Sequence, residues 1–332
     1  MKRVTSLVVI GACLLSPEKA TAAAVPVGFD FLKAQPGVFS LLGLRVHSIS
    51  EVAGDIDVSG STLFDPDTNF DTVLDPPPAK YQIELEGGTS DGKVLEIVSF
   101  AENTLIVSEP LPAETNVSYL IRKVPKLSDV IDPMEPLATA DFNPDHADLI
   151  LLPTGNGQFT QYFVSTYMDA GHPEYFQTYI NADTGLPEDP FLSSTDGFFY
   201  LRRDLTDFEG SYLGEVKVTN THLAVTDSFN YFSSVYPVNT FGLKLSESGL
   251  AASLQPGTAE TADLIWSQDA SGNYHTYFYS DGTPPLTTGW RKANAAPGTE
   301  DDDQSNAELN SGFIIHRRAP APYPALLTPP PI

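Results

Sequence analysis

Residues 157–165 read Gly157-Gln158-Phe159-Thr160-Gln161-Tyr162-Phe163-Val164-Ser165, and residues 272–280 read Gly272-Asn273-Tyr274-His275-Thr276-Tyr277-Phe278-Tyr279-Ser280. Each stretch leaves a turn glycine and runs on in aromatic, β-branched and polar residues whose side chains alternate between two faces, the period of a strand. In the first, Phe159, Gln161, Phe163 and Ser165 share one face, and Thr160, Tyr162 and Val164 the other. Both faces are partly apolar, so the strand is expected inside a sheet, covered on both sides.

The two stretches begin 115 residues apart, at 157 and 272. The same offset relates Ala147-Asp148-Leu149-Ile150 to Ala262-Asp263-Leu264-Ile265, and Gly197-Phe198-Phe199-Tyr200-Leu201-Arg202-Arg203 to Gly312-Phe313-Ile314-Ile315-His316-Arg317-Arg318. Three separated matches at one offset point to a supersecondary unit used twice. The offset also pairs Tyr175 with Trp290.

Outward from these blocks, helical periodicity is almost absent. Short apolar runs are separated by turn clusters such as Gly87-Gly88-Thr89-Ser90-Asp91-Gly92, Glu102-Asn103 and Asp281-Gly282-Thr283-Pro284-Pro285. Lys93–Phe100 and Thr104–Val107, joined through Glu102-Asn103, carry a hairpin signature. The expected fold is all-β: a small antiparallel sandwich or barrel over residues 25–124, a first β unit over 125–210, and connecting strands with a second unit over 211–318. Residues 319–332, rich in proline, read as an extended tail.

The N-terminus has the build of a secretory signal, expected to occupy residues 1–23. A basic start at Lys2-Arg3 is followed by apolar Val4 to Leu15 and by small residues at Ala20 to Ala24. A rival reading makes Ile10-Gly11-Ala12-Cys13 a lipoprotein site with Cys13 lipidated. Cys13 is the sole cysteine, so no disulfide can form within the chain. An exported protein is therefore expected, placed extracellularly, in the periplasm or at the cell surface, with no transmembrane span beyond the signal. The formal net charge of −25 argues against nucleic acid as a partner.

Candidate chemistry is sparse. Gly88-Thr89-Ser90-Asp91-Gly92 matches G-x-S-x-G, but it lies between two strand-like runs where a nucleophile elbow needs a helix to follow. The six histidines show no metal-ligand spacing. Asp65, Asp67, Asn69 and Asp71 alternate as Ca²⁺ ligands do, although Phe70 and Pro76 stand where an EF-hand needs Gly and Glu. A polar loop competes with a calcium site there, and no other cofactor is expected. Tyr277, Tyr279 and Trp290, with Tyr175, are candidate ring platforms for a sugar or polymer, with core packing as the competing reading. Asp148 with Arg202 or Arg203, and Asp263 with Arg317 or Arg318, recur in both units and are expected to form internal ion pairs, an exposed basic patch being the alternative.

The order of features resembles that of an uncharacterised family of exported, mostly verrucomicrobial, bacterial proteins. It comprises an export segment, Pro26-Val27-Gly28-Phe29, the run from Gly87 to Leu111, and the paired blocks ending in Arg202-Arg203 and Arg317-Arg318. The resemblance implies secretion, β structure and an envelope or extracellular location, and supplies no catalytic residue or ligand. Three functions are expected to compete: a non-enzymatic structural or interaction protein that self-associates or meets cell-wall polysaccharide, a carbohydrate- or polymer-binding protein, and a secreted hydrolase.

Overall fold

β1 (Val27–Ala34) and β2 (Phe39–Gly43) open the computed structural model, which describes residues 26–134, 137, 143–155, 157–169, 172–237, 242–269, 271–318 and 323–330. At 167–169, 172–176 and 323 it describes the strand alone, and the expected signal at 1–23, with Cys13, lies outside the described residues. The chain is all-β, in several antiparallel sheets.

Next come β3 (Ser50–Phe64), β4 (Tyr81–Glu86), β5 (Val94–Ala101) and β6 (Thr104–Lys123). They form one sheet in the order β3-β6-β4-β5, and β5 pairs with β6 as well. The sheet closes into a small barrel because β6 is 20 residues long: its residues 118–123 pair with β4 and its residues 104–107 with β5. Register shifts along the β3–β6 pair supply the bend that closure needs. Leu105, Val107, Val117, Tyr119 and Ile121 on β6 meet Ile56, Ile83, Leu85 and Leu95 in the barrel core. The hairpin at Glu102-Asn103 forms as the sequence predicts, with Ala101 opposite Thr104 and Glu102 at φ 45°. Ser90 sits between β4 and β5, with no helix after it, so the nucleophile-elbow geometry is absent.

The first unit continues with β7 (Leu149–Gly155), β8 (Gln158–Asp169), β9 (His172–Asn181), β10 (Leu186–Pro187), β11 (Gly197–Leu201) and β12 (Phe208–Glu215). Its six-stranded sheet runs β10-β9-β8-β7-β11-β2, and β1 pairs with β12 in a separate ribbon. β8 lies between β7 and β9, the interior position its two half-apolar faces require. The second unit comprises β13 (Thr221–Val225), β14 (Ser228–Ser233), β15 (Leu243–Lys244), β16 (Leu264–Gln268), β17 (Tyr274–Asp281), β18 (Thr288–Lys292), β19 (Glu308–Leu309), β20 (Gly312–Arg317) and β21 (Tyr323–Leu327). Its five-stranded sheet runs β14-β20-β16-β17-β18, and β13 pairs with β21.

Strand for strand, β9-β8-β7-β11-β2 corresponds to β18-β17-β16-β20-β14, and the β1–β12 ribbon to β13–β21. The registers correspond too: Phe199 faces Leu151 where Ile314 faces Trp266, and Ile150 faces Tyr162 where Ile265 faces Tyr277. The cores repeat the match, with Leu32, Ile150, Tyr162 and Phe198 in one, and Leu223, Ile265, Tyr277 and Phe313 in the other.

Three boundaries differ from the sequence reading. β1 and β2 pair with strands of the first unit, so the barrel occupies 50–123 and stands between β2 and β7 of one sheet, not at the head of a domain spanning 25–124. The reason is that sheet neighbours remote in sequence leave no local signal. β12 crosses the expected boundary at 210/211. The tail 319–332 contains β21, in register with β13. Pro324 is tolerated because a two-stranded ribbon leaves each strand an edge whose N–H groups need no ladder partner.

Candidate functional site

Each sheet buries one face in the main core of its unit; part of the other face packs in a smaller core of the same unit, and part meets the other sheet. Gly43, Gly197 and Gly312 let the two sheets touch at one end. A Cβ on Gly43 would stand 2.5 Å from the Ser311 carbonyl oxygen and 2.6 Å from the Ser233 Cα, and one on Gly197 would stand 2.7 Å from the Phe232 carbonyl oxygen. Further along the same strands, ring side chains replace glycine and hold the sheets apart. The result is a cleft of about 450 Å³ lined by Phe39, Leu151, Phe159, Phe199, Phe229, Tyr231, Trp266, Tyr274 and Ile314.

The lining is drawn from matched positions. Leu151 and Trp266, Phe159 and Tyr274, and Phe199 and Ile314 are related by the 115-residue offset, and Phe39 and Phe229 by the shared register of β2 and β14. Phe159, Phe199 and Tyr231 close a ring cluster across the two sheets, with centroids 5.5, 4.9 and 5.5 Å apart and edge-to-face geometry. Phe229 meets Trp266 edge-on at 5.7 Å and stacks on His316 at 4.1 Å. Gln268 ties the cleft floor together: its amide oxygen accepts from the Leu41 N–H at 3.0 Å and its amide nitrogen donates to the Phe39 carbonyl at 2.9 Å, as a neighbouring strand would. The Tyr274 hydroxyl donates to the same carbonyl at 3.2 Å.

Among the described residues no charged side chain lines the cleft. Burial, and then the neighbouring Tyr231, push the Tyr274 hydroxyl up to about 12, so it stays neutral at physiological pH. Trp266 Nε1 is buried and has no hydrogen-bond partner among the described residues. The chemistry on offer is apolar contact, ring stacking and a few neutral donors.

The predicted ring platform lies elsewhere and is corrected. Trp290 is 2% exposed and packs edge-on against Tyr279 at 5.3 Å in the core of the second unit; Tyr277 is in the same core, with Tyr279 half-buried against it. These rings face the interior because they share the strand face that carries Ile265 and Phe313. The pairing of Trp290 with Tyr175 also fails on register. Tyr279 faces Trp290, while its counterpart Val164 faces Tyr179, because the β8–β9 hairpin is longer than the β17–β18 hairpin. The Tyr175 side chain lies outside the described residues.

The Asp and Arg residues do come together. Asp148 Oδ2 lies 2.5 Å from Arg202 Nη1 and accepts from the Tyr200 hydroxyl at 2.8 Å, while Oδ1 accepts from the Arg203 N–H at 2.6 Å. In the second unit Asp263 Oδ2 lies 3.6 Å from Arg317 Nη1, and Oδ1 accepts from the Arg318 N–H at 2.8 Å. Arg202 and Arg317 are buried, whereas Arg203 and Arg318 are exposed. Each pair joins the residue preceding one strand to the end of its sheet neighbour, so the inward arginines are structural and form no basic surface patch.

The acidic loop is engaged from within. Asp65 accepts from the Tyr119 hydroxyl at 2.6 Å and from the Asp67 N–H at 2.8 Å; Asn69 caps the single helical turn at Phe70–Val73, and Asp71 accepts from the Glu102 N–H at 2.9 Å. Among the described residues no group of three or more His, Cys, Asp or Glu side chains is placed to hold a metal ion.

A second cluster, unsignalled in the sequence, lies where the barrel meets the two units. Arg122 of β6 donates to Glu84 of β4 at 2.5 Å and to Glu215 of β12 at 3.1 Å. Lys217 also contacts Glu84, and all four are at least nine-tenths buried. His47 beside them is 2% exposed, with Nε2 unpaired. Burial first, and then the charges of Arg122 and Lys217, hold its imidazole well below the usual histidine range, against a backbone hydrogen bond at Val235.

In comparisons with known proteins, no family model, no curated protein and no solved structure matches this chain. Among the described residues no helix is long and apolar enough to cross a membrane, which says nothing of strands.

Proposed function

We propose that this chain is a non-enzymatic interaction protein that receives its partner in the aromatic cleft between its two sheets. One observation carries the reading: a concave site of about 450 Å³ lined by seven aromatic side chains and, among the described residues, by no charged one. Such a surface gains free energy by covering rings, and it offers neither an acid–base pair nor a nucleophile. The signal-like segment at 1–23 and the resemblance to exported bacterial proteins support placing this role outside the cytoplasm, in the envelope or beyond.

The carbohydrate reading moves from Trp290 to Trp266, Tyr231 and Tyr274, where rings do reach an open cleft. It is the weaker reading, because sugars need several convergent polar groups and this lining supplies few. The hydrolase reading finds no carboxylate in the cleft lining.

The test is titration of the protein with a neutral, environment-sensitive dye of aromatic character. Saturable binding by the wild type, abolished by Phe39→Asp and retained by Leu205→Asp on the exposed loop after β11, is the expected result. Equal binding by the wild type and Phe39→Asp overturns the cleft as the site.

A further inference from the structure

The same chain carries an exposed apolar strip whose chemistry suits the cleft. On β1, the buried residues Asp30, Leu32 and Ala34 alternate with exposed Val27, Phe29 and Phe31. Phe29 is 63% and Phe31 50% exposed, and Leu213, directly across the ribbon from Phe29, is 47% exposed. The Lys33–Glu209 ion pair closes the strip at one end. Two aromatic side chains at least half clear of a two-stranded ribbon, with Val27 and Leu213 beside them also exposed, form a contiguous apolar patch that costs free energy when left in water.

We propose that the occupant of the cleft is a second copy of this chain, which inserts the Val27-Phe29-Phe31 strip of its β1–β12 ribbon, and that the exchange is reciprocal, giving a two-fold dimer. This rests on the reading of the cleft as a contact site. Area decides between one contact and two. From the exposures above, the strip offers roughly 350 Å², given about 150–250 Å² for a whole aromatic side chain. Counting an equal area on the cleft side, one strip in one cleft buries roughly 700 Å² in total, no more than a casual crystal contact. Two reciprocal contacts bury roughly 1,400 Å², within the range of specific interfaces. A single contact that left strip and cleft open at either end would also propagate into fibres, which reciprocal closure prevents.

Charge sets the conditions. Each copy carries a formal −25, so two copies repel at low ionic strength, while the cleft itself contributes no charge to the contact. Dimerisation is accordingly weak at low salt and strengthens as sodium chloride screens the repulsion.

Sedimentation velocity on the chain from residue 25 onward, across protein and sodium chloride concentrations, tests this. The expected result is a monomer–dimer equilibrium whose dimer fraction rises with salt. Phe31→Glu, a change at an exposed ribbon position, should raise the dissociation constant at least tenfold, and Phe39→Asp in the cleft should do the same. Circular dichroism and thermal melts matching the wild type establish that both variants fold. A wild type monomeric at every salt concentration, or a dimer undisturbed by Phe31→Glu, overturns the proposal. If the wild type stays monomeric yet its cleft still binds the aromatic dye, the self-docking inference alone falls. If it is monomeric and binds no dye, the reading of the cleft falls as well.

Discussion

At the scale of single residues, the ionic groups that matter are those without water. Asp148 and Arg202 are each 3% exposed, and the carboxylate serves three donors at once: the guanidinium, the Tyr200 hydroxyl and the Arg203 N–H. Asp148→Ala takes the buried carboxylate from Arg202 and leaves it the half-exposed Asp204 at 3.1 Å, so it should cost up to about 3–5 kcal/mol in urea unfolding. Adding Arg202→Ala should recover part of that loss, because the stranded charge leaves with its side chain. The looser Asp263–Arg317 pair, at 3.6 Å, should show a smaller coupling in the same double-mutant cycle. His47 sets a pH dependence. Its folded pKa lies well below the ordinary value of about 6.5, so between the two the unfolded chain binds a proton that the folded chain does not. The His47 contribution should therefore be level above pH ~6.5 and be lost as pH drops below it, by up to roughly 1.4 kcal/mol per pH unit, while buried Lys217, held down to about 7, adds a separate rise in stability above neutral pH. His222 and His316, also held low mainly by burial, add to the slope. His47→Asn should flatten the fall between about pH 6.5 and 5.5 in thermal melts, and an unchanged slope would show that His47 ionises freely in the folded state.

At the scale of elements, glycines decide how the sheets meet. Gly43 sits at the end of β2 opposite Gly197, and Ser233 takes its place on β14 opposite Gly312. Gly43→Ala drives a methyl group into the Ser311 carbonyl and the Ser233 backbone, so one sheet must move. The expected cost is about 1–3 kcal/mol by chemical denaturation, with altered fluorescence from Trp266 as the cleft widens. Wild-type stability in that variant would mean that the sheets do not touch there. Much at this scale was legible in the sequence. The period-two alternation of 157–165 and 272–280 gave the strands and their interior position, and Asp148, Asp263 and the Arg-Arg pairs gave the ties between neighbours. The cleft was not legible, because Phe39 and Phe229 are cleft partners through sheet register alone and lie far from the matched blocks. Trp290 misled for a related reason: a constant offset crosses a hairpin that differs in length between the units, so it selects Tyr175 where register selects Tyr179. Nothing in one sequence states which face of a doubly apolar strand meets its own core and which meets another sheet.

At the scale of the whole molecule, the barrel is an addition to an arrangement that closes without it. Residues 44–148 separate β2 from β7, residues 234–263 separate the corresponding β14 from β16, and the barrel at 50–123 accounts for the difference. The second unit thus shows that a short connection can link these strands in the same sheet order. The barrel has its own core around Ile83, Leu105 and Tyr119, and it joins the body through the Arg122, Glu84, Glu215 and Lys217 cluster and through neighbouring hydrogen bonds such as those of Gln82 with Ser193 and Asp91 with Asn220. Replacing residues 50–123 with a short Gly/Ser linker should leave a folded, β-rich protein. Glu215 and Lys217 lose their partners, but the deletion also returns them to solvent, where an unpaired charge costs little. The cleft is lined by strands of the two units alone, so its dye affinity should stay within about threefold of the intact chain, a difference under ~0.7 kcal/mol. Retained dye binding with a cooperative melt at reduced temperature is the expected outcome, read by fluorescence titration and calorimetry. A deletion protein that folds but loses dye binding would show that the barrel holds the two sheets at their working separation, and would make the buried charge cluster part of the site.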